Sequence, residues 1–364
     1  MNRRAPLLAV VATAVCLVGF GGSVRAHIVY ARPTLLSLVG GSELVAHVKV
    51  LDPHATLTLE ATGERRPIVR VERREVFKGE GGPGRELHFA PHGHGVAEYV
   101  AGEEVVVFLV PLVRSKELAV LQEAGLRWVS LQENDARYVL TPGARERLLA
   151  AVRSYAAAGR LTEPQARVEA LRSVTLDLLT SGDARLGAAA VRDLVAAGDV
   201  ALVTVADVPR LLEEVVRSAN AAIAVRLGLL VELERRGLVS GSPLWEELLH
   251  STPKPDLLQV VRAAGHHPSP QVDAILVEML GQDDEVAEAA ALALGNPAHH
   301  GAVPALKKAL RSDATRVRMG AIRALGRIGT PAAREALEVA ARDHADPATR
   351  RRAAAEVRTL TAGR

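Results

Sequence analysis

The last third of this 364-residue chain repeats itself about every 31 residues. Val286, Ala290, Leu294 and Gly295 recur as Val317, Ala321, Leu325 and Gly326, and a looser echo from Asp346 puts Ala354 in the place of Ala321. Each copy reads as a helix pair too short to bury its own apolar face. Neighbouring copies must therefore stack into an α-solenoid. Such a stack offers a long surface to a partner and rarely carries chemistry.

The amino terminus reads as an export signal. Arg3 and Arg4 precede an apolar stretch from Leu7 to Phe20, and Val24-Arg25-Ala26 has the pattern of a cleavage site. The stretch is short and interrupted by glycine, which argues against a stable membrane anchor. Cys16, the only cysteine, follows Val15, which is bulky for lipoprotein processing. Loss of residues 1–26 removes three arginines and no acid, leaving 42 basic against 42 acidic residues. A formally neutral chain lacks the electrostatic footprint expected of a nucleic-acid partner. Without Cys16 there are no disulfides or thiolate metal sites, so stability rests on burial.

Two regions with different apolar periods follow. Over about 33–140 the pattern is that of strands. Residues 44–50 are apolar at every second position, with His47 and Lys49 on the other face. Val69 and Val71 likewise oppose Arg70 and Glu72, and 105–110 form a continuous apolar run suited to a strand covered on both sides. Residues 79–84 and 101–103 supply turns. After Thr141-Pro142-Gly143 the period becomes helical over 145–158 and 163–179. From Asp183 onward, turns at 198–199, 241–243, 267–270, 296–297, 329–331 and 346–347 predict helices of about 10–18 residues, with 200–206 ambiguous. The expected fold is an α+β multidomain chain, with a small amino-terminal β-barrel or sandwich before a carboxyl-terminal α-solenoid. Its parts are a signal at 1–26, a β-module at 27–141, a helical connector at 142–182 and the solenoid at 183–364.

Two resemblances sharpen this. The residues Ser42–Val48, Val76-Phe77-Lys78-Gly79, Gly102-Glu103-Glu104 and Val107-Phe108-Leu109 resemble a module of secreted bacterial proteins. That module looks like an OB-type barrel, similar in shape to the inhibitory domain of tissue metalloproteinase inhibitors, and the likeness spans about 33–112. Those inhibitors chelate the protease metal through an amino-terminal cysteine. This chain would start at His27, so that mechanism does not carry over. The run from Ala302 to Gly329, with Asp313 opening its second helix and Ala324-Leu325-Gly326-Arg327-Ile328-Gly329 closing it, resembles a HEAT repeat. The likeness is good over 283–345 and degenerates back to about 183. It implies that Val317, Ala321, Ala324, Leu325 and Ile328 share a buried face.

Arg316, Arg323 and Arg327 fall on one helical face opposite the buried one and are the candidate partner contacts. The equivalent positions in adjacent copies (Glu285, Leu292 and Asn296; Thr349, Glu356 and Leu360) do not extend a cationic stripe. Arg350-Arg351-Arg352 reads as a polar cap on the last repeat. His88, His92 and His94, with Glu98 nearby, lack the partners that a metal site needs, and an exposed His27 would need His47 or His54 beside it. His266-His267 and His299-His300 fall in inter-helix turns, where exposure is expected. No catalytic motif or phosphate-binding loop is present. The reading is a non-catalytic, exported scaffold, periplasmic or extracellular, that binds a protein or peptide and needs no cofactor. The alternative is a metal-binding or metalloprotease-inhibitor-like protein acting through the β-module.

Overall fold

The computed structural model describes residues 33–60, 62–82, 84–91, 99–112, 119–131, 137–198 and 200–362. The export signal, Cys16, His27, His92, His94 and Glu98 lie outside them.

The chain enters through α1 (Leu35–Gly41), where Thr34 Oγ1 accepts from Ser37 N (3.0 Å) and Thr34 N donates to Ser37 Oγ (2.8 Å). This reciprocal box satisfies backbone donors at the helix start. Six strands follow: β1 (Leu44–Thr58), β2 (Arg65–Lys78), β3 (Glu86–Ala90), β4 (Glu104–Pro111), β5 (Trp128–Ser130) and β6 (Arg137–Val139). The short α2 (Ala119–Glu123) lies between β4 and β5. Pairing runs β1–β2–β3–β5–β4 and back to β1, with β3 and β5 parallel and β6 flanking the first half of β4. This closes a five-stranded barrel and leaves few free edges.

The strand pattern has a clear physical basis. Val69, Val71, Val105, Val107 and Leu109 point into the barrel with Leu44, Ala46, Val48 and Val50. On the outer face of the same strands, Val45, Val106 and Phe108 join the apolar cluster of the helices. The outer face of β1 is thus covered rather than solvated. His47 is 4% exposed, and its Nε2 lies 3.0 Å from Glu104 Oε2, which also takes Arg145 Nη1 at 2.5 Å. Strand alternation marks the two faces but does not say what covers the second.

Helices begin with α3 (Arg145–Ala158) and α4 (Pro164–Leu179), then α5 (Ala184–Ala196). The barrel and helices share one apolar cluster that includes Leu35, Leu38, Phe77, Phe108, Tyr155, Leu186 and Leu194. Polar contacts reinforce it: Arg153 holds Glu75 with two bonds of 2.9 Å, and Arg185 sits 4.3 Å above the Tyr138 ring. Asp193 on α5 is fully buried, accepting from Leu36 N (3.2 Å) and Tyr155 Oη (2.9 Å). One carboxyl therefore ties α1, α3 and α5 together.

Beyond α5 come α6 (Val208–Leu211), α7 (Ile223–Arg235), α8 (Gly241–Ser251), α9 (Lys254–Ala264), α10 (Pro270–Met279), α11 (Asp284–Ala293), α12 (Val303–Ala309), α13 (Thr315–Ile328), α14 (Pro331–Asp343) and α15 (Pro347–Ala362). Helices α5, α7, α9, α11, α13 and α15 pack side by side in one row, and the intervening helices cover it. The solenoid expectation holds. The turn residues act as caps: Asp183, Ser269, Asp283 and Thr330 each accept backbone N–H bonds from the following turn.

Two details differ from the sequence reading, and the stretch it left ambiguous is resolved. Helix α6 is short because it runs on as a π-helical turn, Leu212–Val216, and α12 follows the 3-10 turn Pro297–Ala302. Residues 200–206 form no strand; Leu202 and Val203 are buried just before a 3-10 turn. In the third copy Ala353, not Ala354, takes the buried place of Ala321. Arginine contacts fix that register. Arg318 Nη1 donates to the carbonyls of Ser312 (2.8 Å) and Asp313 (2.7 Å), and Arg350 Nη1 donates to those of His344 (2.6 Å) and Ala345 (3.0 Å). Asp313 thus opens α13 through its carbonyl, since the N-cap of that helix is Ala314.

Val317, Ala321, Ala324, Leu325 and Ile328 are all buried, as the repeat requires. Leu325→Ala should cost about 2–5 kcal/mol in urea unfolding, while the exposed Arg323→Ala should stay within about 0.5 kcal/mol. Equal shifts would show that this face is not core. Asp193 makes a second prediction. Burial pushes its carboxyl up to about 6 from 3.8, so the folded state holds the proton more tightly than the unfolded chain. Its contribution is full below pH 3.8 and is lost as pH rises through about 6. Between pH 7.5 and pH 4 the wild type should gain on the order of 2–3 kcal/mol relative to Asp193→Asn. Urea titrations across that range check it, and a pH-independent difference would exclude it.

Candidate functional site

The row of inner helices packs unusually closely at its carboxyl-terminal ends. A Cβ on Gly265 would lie 2.7 Å from Ala293 Cα, and one on Gly295 would lie 2.9 Å from Ala324 Cα. Only glycine allows the neighbouring backbone this near. Beside this contact the ends of α9, α11 and α13 border an open cleft of ≈ 570 Å³. Its rim carries Arg262, His266 and Arg327 around Leu292, Asn296 and Pro297.

Buried hydrogen bonds hold the floor of the cleft. The carbonyl of Gly265 accepts from Asn296 Nδ2 (3.2 Å) and from His299 Nε2 (3.1 Å). His299 Nδ1 lies 2.5 Å from Asp273 Oδ1 on α10. Both ring nitrogens therefore face oxygen atoms of neighbouring helices. His299 is fully buried, contrary to the expectation for a turn histidine, whereas His300 is exposed. His267 is also partly enclosed: its ring stacks on Trp245 at 4.5 Å, and its Nδ1 lies 2.7 Å from Glu234 Oε2. Burial lowers its pKa, with Glu234 opposing. His266 is exposed, as expected.

The three arginines singled out on α13 are all exposed, but they do different things. Arg316 pairs with Glu288 of α11 at 3.4 Å. Arg323 lies clear of the cleft. Arg327 borders it, together with Arg262 from α9. Neither the Arg262 nor the Arg327 side chain makes a hydrogen bond or ion pair with another described residue, and no described carboxylate lines the cleft. Arg262 was missed because it lies on α9, ahead of the copies in which the repeat is clear, and not on the α13 face that singled out the other three.

Residues 272–358 match the family model of HEAT repeats. Similar solved structures include an engineered protein, 21% identical, covering 56% of this chain and 94% of that one, with a TM-score of 0.33. A computationally designed armadillo repeat protein for modular peptide recognition is 18% identical, covers 54% of this chain and 94% of its own, and has a TM-score of 0.33. Human deoxyhypusine hydroxylase in complex with glycerol is 18% identical, covers 60% and 90%, and has a TM-score of 0.30. No curated protein matches. The chain therefore combines a five-stranded barrel with a HEAT-like helical region.

Among the described residues no three His, Cys, Asp or Glu side chains converge as metal ligands. His88 is exposed, with its Nε2 3.5 Å from Glu86 Oε2. No helix of the described residues is long and apolar enough to cross a membrane.

Proposed function

We infer that the protein is an exported, non-catalytic scaffold whose HEAT-like solenoid binds a protein or peptide, with the barrel as a second contact. One observation carries this reading. Two arginines whose side chains have no partner among the described residues, from helices on either side of α11, border an open cleft lined by no described carboxylate. Unspent guanidinium donors beside Leu292 and Pro297 suit an acidic segment of a partner. Arginine forks bind carboxylates with two parallel bonds, and such pairs concentrate binding energy in few residues.

Because barrel and helices share a core, the test uses the intact protein. Affinity capture from the native envelope fraction should recover a partner that Arg262→Ala/Arg327→Ala loses by at least roughly tenfold, at unchanged melting temperature. Equal recovery by wild type and double variant would remove this cleft as the contact. The exported setting rests on the pattern of residues 1–26. Mass spectrometry of the protein from its native cells should find His27 at the amino terminus, and a chain that keeps Met1 would refute export by cleavage.

A further inference from the structure

The Val76-Phe77-Lys78-Gly79 run at the end of β2 builds a second, unrelated cleft. Val45 pairs with Lys78 and Ala46 with Val76, so Phe77 has no residue opposite it. This bulge turns the Phe77 ring into the shared apolar cluster and leaves its carbonyl to Arg160 of the turn after α3, whose Nη1 donates at 3.2 Å. Lys78 Nζ donates to the carbonyls of Val39 (2.8 Å) and Gly40 (3.0 Å) at the end of α1. Gly79 has φ +79°, and a Cβ there would lie 2.0 Å from Glu43 O, so no other residue fits.

Between this corner and α3–α4 lies a cleft of ≈ 400 Å³. Val76, Phe77 and Leu171 supply apolar wall, and Lys78, Arg160 and Arg167 supply charge. No carboxylate lines it. Arg167 is exposed, and its side chain makes no hydrogen bond or ion pair with any described residue. Burial lowers the pKa of Lys78, with Glu43 opposing, so an anion here would relieve a desolvated cation. Its volume falls in the range of about 300–1,000 Å³ typical of small-molecule pockets. A peptide backbone fits less well, because the carbonyls of Val39, Gly40 and Phe77 are already taken by Lys78 and Arg160. An aliphatic tail makes no such demand.

We propose that this cleft binds a carboxylate on an unbranched aliphatic tail, the carboxylate against Arg160 and Arg167 and the tail against Val76, Phe77 and Leu171. The site is independent of the partner held by the solenoid.

Calorimetric titration of the intact protein with decanoate, decanol and acetate tests it. Decanoate should bind saturably at one site. Decanol, which lacks the charge, and acetate, which lacks the tail, should each bind at least roughly tenfold more weakly. Arg167→Ala should weaken decanoate roughly tenfold without changing the melting temperature of the free protein, and the remote, exposed Arg351→Ala should leave it unaltered. Absence of saturable binding overturns the proposal. So does equal affinity for decanol or for acetate, or undiminished decanoate binding by Arg167→Ala.

Discussion

The close approach of successive inner helices is the contact on which the helical region depends. The chain has only 4 Phe, 4 Tyr and 2 Trp, so large rings cannot fill its cores. Buried alanines take their place, among them Ala287, Ala290, Ala291, Ala321, Ala324 and Ala353. Alanine removes little area from water, so these interfaces need short backbone separations to gain dispersion contacts. Gly265 and Gly295 permit that separation where the helices end. The same geometry leaves the carbonyl of Gly265 reachable from the next turn, where Asn296 and His299 donate to it. Packing and the cleft floor therefore have a common origin.

The barrel is held by a different means. Strands β1 and β4 bury both faces, one inside the barrel and one against the helices, and Asp193 fixes α1 onto α3 and α5 at the same junction. Polar pairs lie at the same junction: His47 with Glu104 beneath α3, and Arg153 with Glu75 at its exposed rim.

The parts of this architecture that come from periodicity were legible in the residues alone. The alternation at 69–72, the continuous run at 105–110 and the buried face of α13 all depend on local spacing, and each appears as expected. What escaped depends on contacts between distant segments. The alternation placed His47 on the second face of its strand without showing its partner Glu104 or the neighbouring Arg145, which lie far along the chain. His299 looked like a loop histidine because its acceptors, Asp273 and the carbonyl of Gly265, belong to preceding helices. The third repeat slipped by one residue because its register is set by Arg350 reaching carbonyls, and spacing among alanines does not reveal that. Of the cleft residues, Arg327 stood out through its repeat, and Arg262 carried no comparable signal.

Because α1 and the outer barrel strands cover α3 and α5, the first face of the helical stack is sealed by β-structure instead of by a specialised end repeat. The barrel is, in effect, a lid on one end of a one-dimensional crystal of hairpins. Each later hairpin meets mainly its immediate neighbours. Duplication or loss of a hairpin beyond α9 would then alter the reach of the stack while leaving the junction around Asp193 untouched.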